Sequence, residues 1–276
     1  MKILIFGASG TVGSALFTAL SPTYDVYGTY NKKKPATNDN HWLKYDLSEP
    51  VEDILKKIKP SLIISSLTGD FAKQWNAHRH MAEYLRETAG QMIYISTANV
   101  FDGAPVGGHT ESDIPYPISQ YGLFKQSCEE MVLWSTDCLI VRLPRILSKN
   151  NTDGWAERMS TLYSNVYFNY NSAENVAQEI KYCIQANDKG TIHLVSQDYL
   201  SDVELAEKLS ASSGKKQEYA GNHLDAQEFC KLLGHADVST LRQSSDGKFY
   251  LTMTGSQRNV FTCDDVVKSL YEGVLK

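Results

Sequence analysis

The run Lys2-Ile3-Leu4-Ile5-Phe6-Gly7-Ala8-Ser9-Gly10-Thr11-Val12-Gly13 decides the fold. Its apolar stretch, Ile3 to Phe6, reads as a strand buried on both faces. Beyond the glycines, Val12, Ala15, Leu16, Ala19 and Leu20 recur at helical spacing. Strand, glycine turn and helix in that order open a dinucleotide-binding βαβ unit. Gly7 permits the tight turn, Gly10 lets backbone approach a pyrophosphate, and Gly13 lets the helix pack against the strand. The helix N-terminus, with Ser9, Thr11 and Val12 beside the glycines, then offers free N–H groups and partial positive charge to the phosphates.

Outward from this unit the chain alternates. Asp25–Tyr30 and Trp42–Tyr45 read as strands, Val51–Ile58 as a helix closed by Pro60, and Leu62–Ile64 as a buried strand. A long helix over 72–88 ends at Gly90. The strand Met92–Ile95, a Gly/Pro-rich loop to Pro117, a helix over 119–135 and the strand Cys138–Val141 follow. Strand–helix alternation with short links predicts an α/β protein with a doubly wound, Rossmann-type parallel sheet and right-handed connections. The rhythm changes after Arg142. Residues 146–170 read as irregular, 173–186 as a helix and 191–195 as a strand. Ser201-Asp202-Val203-Glu204 resembles a capping box opening a helix to about Ser210; 213–260 carry no clear pattern, and 264–275 read as a terminal helix. The expected division is a dinucleotide-binding domain over 1–145 and a small α/β substrate-binding lobe over 146–276, with about 173–195 returning to the Rossmann sheet.

With 276 residues the chain can bury a substantial core, and its 42% apolar and 21% charged residues are ordinary for a globular protein. A net charge of −5 gives no basic field for nucleic acid or an anionic membrane. No apolar run reaches the length of a membrane span, and no signal-peptide pattern opens the chain. The five cysteines are widely spaced without a CxxC pair, which reads as buried, reduced thiols in a cytoplasmic protein. A homodimer is compatible with all of this.

The end of the second strand normally meets the adenosine ribose, where an acid selects NAD and basic residues accommodate a 2′-phosphate. Here Tyr30-Asn31-Lys32-Lys33-Lys34 offers cations and no acid. Asn31, Lys32 and Lys33 therefore point to NADP(H). Asp46, followed by Leu47 after the third strand, is read two ways: as an adenine contact or as a turn aspartate.

Tyr121 and Lys125, four apart on a predicted helix, share one face within about 6 Å at Cβ. A nearby ammonium and a cationic nicotinamide both favour the phenolate, so such a tyrosine can exchange a proton with a carbonyl or alcohol. Lys125 can also hold ribose hydroxyls. Thr97 lies 24 residues earlier, just past a strand end, where open α/β sheets bind ligands. Ser96 is the competing hydroxyl. The catalytic set expected is Thr97, Tyr121 and Lys125, the last two also touching cofactor.

The stretch Ser96-Thr97-Ala98-Asn99-Val100-Phe101-Asp102-Gly103 is similar to the Ser-Thr-Asp-Tyr-Val-Phe-Asp-Gly signature of dTDP-4-dehydrorhamnose reductases. With the glycine pattern, Tyr121 and Lys125, the chain resembles an extended short-chain dehydrogenase/reductase. Glu111-Ser112-Asp113-Ile114-Pro115 and Gly190-Thr191-Ile192-His193-Leu194 also look like this family. The resemblance is dense over 1–145, fainter to about 210 and lost beyond. It implies an NADPH-dependent oxidoreductase that reduces the 4-keto group of a nucleotide-linked 6-deoxy sugar in carbohydrate biosynthesis. By that resemblance Thr97 is the hydroxyl member, Tyr121 the acid/base and Lys125 the activating lysine. Ala98-Asn99 replaces Asp-Tyr, and Ser65-Ser66-Leu67 replaces the Asn-Ala-Ala after the fourth strand, so the resemblance implies that Ser65 and Ser66 lie beside the nicotinamide. Ala15 stands where some members carry a glutamate of a metal-linked dimer, so no metal is expected.

The sugar diphosphate needs cations, and Arg142, Arg145, Arg158, Arg242 and Arg258 are candidates. Two alternatives stand beside the reductase. One is a non-catalytic NADP-binding regulator, as in the regulatory subunit of methionine adenosyltransferase that the family includes. The other is a nucleotide-sugar epimerase or dehydratase, which recycles NAD. His78-Arg79-His80 reads as a polar helix face, and Tyr163, Tyr167, Phe168 and Tyr170 as lobe packing with base stacking as the rival.

Overall fold

The computed structural model describes residues 1–35, 40–149, 155–159, 161–214, 217–235, 237–255 and 260–272. The chain runs β1 (Lys2–Phe6), α1 (Thr11–Leu20), β2 (Asp25–Tyr30), β3 (Trp42–Lys44), α2 (Glu52–Ile58), β4 (Leu62–Ser65), α3 (Phe71–Thr88), β5 (Gln91–Thr97), α4 (Gln120–Ser135) and β6 (Asp137–Leu143). It continues through β7 (Arg145–Leu147), α5 (Trp155–Arg158), β8 (Val166–Phe168), β9 (Tyr170–Ser172), α6 (Ala173–Ala186) and β10 (Gly190–His193). The last elements are β11 (Leu200–Ser201), α7 (Asp202–Ser212), α8 (Ala226–Leu232), β12 (Phe249–Leu251) and α9 (Cys263–Glu272).

Two compact units emerge. The first comprises Met1–Ser96, Ser127–Val141 and Val176–Thr191; the second comprises Thr97–Gln126, Arg142–Asn175 and Ile192–Lys276. A seven-stranded sheet runs in the order β10-β6-β5-β4-β1-β2-β3. Its ladders from β5 to β3 are parallel, with Ile3 opposite Val26 on one side and Leu62 on the other. A strand with a partner on each edge and helices over both faces has no wet side. Ile3, Leu4, Ile5 and Phe6 are accordingly all buried, as are Leu62, Ile63 and Ile64. Helix α1 turns Leu16 and Leu20 inward. Asp70 caps α3 by accepting from the Lys73 N–H at 2.9 Å.

In the second unit β8 lies between β11, antiparallel, and β12, parallel, while β7 pairs with β9. Helices α7 and α9 close one core through Leu205, Leu209, Val266, Val267 and Leu270 around Tyr170. Ser201 and Glu204 form the expected capping box, and Asp225 and Glu228 form a second at α8. The stretch 146–170, expected to be irregular, carries β7, β8 and β9 among its described residues, and 213–260 carries α8 and β12. These strands have three residues each, too few for a period of two to show.

Candidate active site

The glycine turn belongs to the first unit. Gly7 adopts φ +75°, and a Cβ on it would meet the Ser66 carbonyl oxygen at 2.6 Å. A Cβ on Gly13 would lie 2.2 Å from the Gly7 carbonyl oxygen. Both positions exclude any larger residue. The Gly7 N–H donates to Thr29 Oγ1 at 3.0 Å, and Ser66 Oγ donates to the Phe6 carbonyl at 3.0 Å. Helix α1 begins behind Gly10 with no side-chain cap, and Ser9, Gly10 and Thr11 are exposed. Open N–H groups at an uncapped helix start fit a pyrophosphate.

Asn31 and Asp46 meet at the ends of β2 and β3, Nδ2 donating to Oδ2 at 3.1 Å. The other Asp46 oxygen accepts from the Ser48 N–H and hydroxyl, which holds its carboxyl below the usual range, helped by Asn31. The turn role of Asp46 is thus filled. Lys32 and Lys33 are exposed, and Leu47 is half-buried against Gly69. The two serines differ from expectation. Ser65 is 1% exposed and its hydroxyl lies 2.7 Å from His78 Nε2, so it packs under α3 instead of facing a ligand. Ser66 ties down the glycine turn through the carbonyls of Phe6 and Gly7.

Thr97, Tyr121 and Lys125 all fall in the second unit. Thr97 ends β5 in extended backbone and caps a short 3-10 turn, Ala98–Phe101, accepting from the Asn99 N–H at 3.2 Å. Its hydroxyl donates to Asn99 Oδ1 at 3.1 Å. Tyr121 is 43% exposed, yet its phenol end is desolvated; burial raises its pKa above 10, with Thr97 pulling it down. That direction opposes the phenolate expected from the lysine. It suits a proton donor, which must be neutral before it acts. Lys125, one turn on, is 5% exposed. Ser96, the competing hydroxyl, is buried and donates to Glu129.

An unforeseen residue organises this corner. Asp102 is fully buried and accepts from the Ile118 N–H at 2.7 Å, the Ser119 N–H at 3.2 Å and the Ser119 hydroxyl. Ser119 Oγ in turn accepts from the Gly122 N–H at 2.9 Å. The carboxylate therefore links the Thr97 turn to the start of α4. Gly122 is required there, since a Cβ would lie 2.4 Å from the Asn99 carbonyl oxygen. Its signal in the sequence is the Asp102-Gly103 pair after a strand.

The arginines separate. Arg142 is buried over the Phe101 ring at 5.1 Å and beside His193 at 3.4 Å. Arg145 pairs with buried Asp202 and covers Phe168. Arg242 is exposed and stacks on Tyr116 at 4.1 Å. Arg258 and the side chain of Arg158 lie outside the described residues. The helix motif also divides: Arg79 and His80 pair with Glu83 and Glu52 at the surface, whereas His78 is buried, edge-on to Tyr94. Tyr170 and Tyr163 pack in cores, and all five cysteines are buried.

Comparison with known proteins supplies the family. A probable low-salt glycan biosynthesis reductase, Agl14, of Haloferax volcanii is 25% identical over 237 residues, 76% of this chain and 79% of that one. Methionine adenosyltransferase 2 subunit beta of Mus musculus is 23% identical over 244 residues, 74% of this chain and 70% of its own. Among solved structures, a dTDP-4-dehydrorhamnose reductase from Bacillus anthracis, in complex with NADP, superposes with a TM-score of 0.74 at 20% identity, covering 99% of each chain. The model of one family, the RmlD substrate binding domain, matches residues 1–245, and the chain belongs to that family.

Proposed function

We propose that the protein is an NADPH-dependent oxidoreductase of the short-chain dehydrogenase/reductase type that reduces the 4-keto group of a nucleotide-linked 6-deoxy sugar. The observation that carries this reading is the placement of Tyr121 and buried Lys125 one turn apart on α4, with Thr97, at the end of β5, lowering the Tyr121 pKa against the rise caused by burial. When bound, reduced nicotinamide supplies hydride. Tyr121 donates its phenolic proton to the oxygen that becomes an alcohol. Thr97 hydrogen-bonds that oxygen, and Lys125 holds ribose hydroxyls and supports Tyr121. Positioned proton transfer of this kind contributes roughly 10²–10⁴-fold.

The residues that would hold the cofactor's phosphates are those of the turn from Gly7 to Gly13, where the uncapped start of α1 fits an anion. Exposed Lys32 and Lys33 next to Asn31 support a 2′-phosphate, hence NADP(H). Five cysteines, all buried and none in a disulfide, support a cytoplasmic location.

The test is NADPH oxidation over a panel of keto-sugar nucleotides, with Tyr121→Phe as control. Turnover lost in the variant, with NADPH binding kept, supports the reading. A second reading is a non-catalytic NADP-binding regulator, favoured by the similarity to methionine adenosyltransferase 2 subunit beta. Tight NADPH binding without turnover of any keto-sugar nucleotide would select it.

A further inference from the structure

The sheet β11–β8–β12 has an unusual outer face. Val166, Phe249 and Leu251 point into a core with Phe229 and Leu241. Tyr167 and Tyr250, paired in register, therefore occupy the opposite face. Their rings stack at 5.2 Å and 22°. Tyr199, just before β11, stands edge-on to both at 5.7 and 5.4 Å, and is 45% exposed. The wet face of such a sheet ordinarily carries polar residues. Here it carries three phenol rings, with Lys248 over Tyr167 and Asp246 accepting from the Tyr250 hydroxyl at 2.6 Å.

Tyr199 also borders an open cavity of about 260 Å³. Gly108, Asn169, Gln197, Thr252 and Thr254 line it further, and no lining residue among the described ones is charged. The walls are tied down. Buried Asn169 donates to the carbonyls of Ser196 and Asp198 at 2.8 and 3.1 Å and accepts from the Met253 N–H at 2.7 Å. The Gly108 N–H donates to Thr252 Oγ1 at 3.1 Å, and Thr254 Oγ1 donates to the Gly108 carbonyl at 3.0 Å. Gly107, at φ +81°, allows this approach, since a Cβ would meet Thr252 Oγ1 at 2.8 Å.

Unspent hydrogen-bonding capacity faces this space. The Gln197 carboxamide has no partner among the described residues, and the Thr252 hydroxyl, accepting from Gly108, still has its proton to donate. Neutral donors and acceptors beside an aromatic face match a sugar ring. Its C–H face packs on an aromatic ring, and its hydroxyls bond amide and hydroxyl groups. The described lining offers no cation to pair with a phosphate. The volume lies below the roughly 300–1,000 Å³ of pockets for drug-sized ligands, which suits one ring.

We propose that this cavity and Tyr199 form a carbohydrate site for one neutral pyranose, distinct from the Thr97–Tyr121–Lys125 set, none of which lines it. Methyl α-D-glucopyranoside and methyl α-L-rhamnopyranoside are titrated into the full-length protein and followed by saturation-transfer NMR. At least one binds saturably in the millimolar range. Gln197→Ala and Tyr199→Ala each weaken binding about tenfold, and Tyr199→Trp retains it. Gln197 is exposed, so its variant keeps the fold even if Tyr199→Ala does not. The proposal is overturned if neither glycoside binds at tens of millimolar. It is equally overturned if Gln197→Ala binds like the parent, or if a nucleoside saturates the site and the glycosides do not. Reductase turnover is read separately and is unaffected by Gln197→Ala, so the two assignments fail independently.

Discussion

The Asp102 carboxylate grips Ser119 by both its backbone N–H and its hydroxyl, and so fastens the turn after Thr97 to the first residues of the helix bearing Tyr121. Fully buried, it also satisfies the Ile118 N–H. Burial raises the Asp102 pKa, and the bonds from Ser119 and Ile118 oppose that rise. Asp102→Ala strands two buried N–H groups and a hydroxyl, each worth about 1–3 kcal/mol when left unmade. The expected loss is about 3 kcal/mol of stability by urea denaturation. Asp102→Asn keeps the shape and one acceptor, so it loses about half as much while turnover falls with NADPH affinity unchanged. Equal stability of all three proteins would remove Asp102 from this role.

Tyr121→Phe preserves the ring and deletes the proposed proton-donating hydroxyl. The expected result is at least about a hundredfold loss of turnover with folding and NADPH binding intact. The pH dependence follows from the direction of the shift. Burial holds the phenol protonated past its ordinary value of 10, and the protonated form is the donor in reduction. Reductive kcat/KM should therefore show no loss through neutral pH and decline only on the far alkaline side. A decline beginning near pH 7 would mean that a different group delivers the proton.

Gly13 and Gly10 separate two roles of the glycine turn. A Cβ at Gly13 would collide with backbone, at 2.2 Å from the Gly7 carbonyl oxygen and 2.7 Å from Ala8 Cα. At Gly10 the nearest atom is 3.3 Å away. Gly13→Ala should cost more than about 2 kcal/mol of stability and abolish dinucleotide binding. Gly10→Ala should retain the fold and weaken binding more gently. Calorimetric titration with NADPH and thermal melts of both variants check the contrast.

What could be read in advance followed from the range of each interaction. Strands β1 and β4 stand out because both faces are buried, leaving unbroken runs such as Leu62-Ile63-Ile64. Tyr121 and Lys125 stand out because one helical turn joins them. Asp102 did not, because its partners lie 16 and 17 residues away across a loop. His78 was hidden by polar neighbours, although Gln74, His78, Met81 and Leu85 are spaced as one buried face of α3. Ser65 followed it inward, since its strand end faces that helix. The aromatic cluster of Tyr167, Tyr199 and Tyr250 draws on three short strands or strand edges far apart in the chain, and no local pattern announces it.

His193 makes a prediction about stability against pH. Its ring is buried; Arg142 lies 3.4 Å from Nε2 and the Thr254 carbonyl 3.3 Å from Nδ1. A neutral ring protonated on Nδ1 satisfies both, accepting from the guanidinium and donating to the carbonyl. A second proton would face Arg142. Burial first, and Arg142 next, lower its pKa to about 4, against 6.5 ordinarily. Between those values the unfolded chain binds the proton and the folded protein does not. Stability is therefore full above about pH 6.5 and falls as pH drops toward 4. From pH 7 to pH 5 this one group should remove about 2 kcal/mol. His193→Gln lacks the titration. The variant is less stable than the parent at pH 7, and the gap narrows by that amount at pH 5 in urea denaturation. A gap that stays constant with pH would show that His193 titrates normally in the fold.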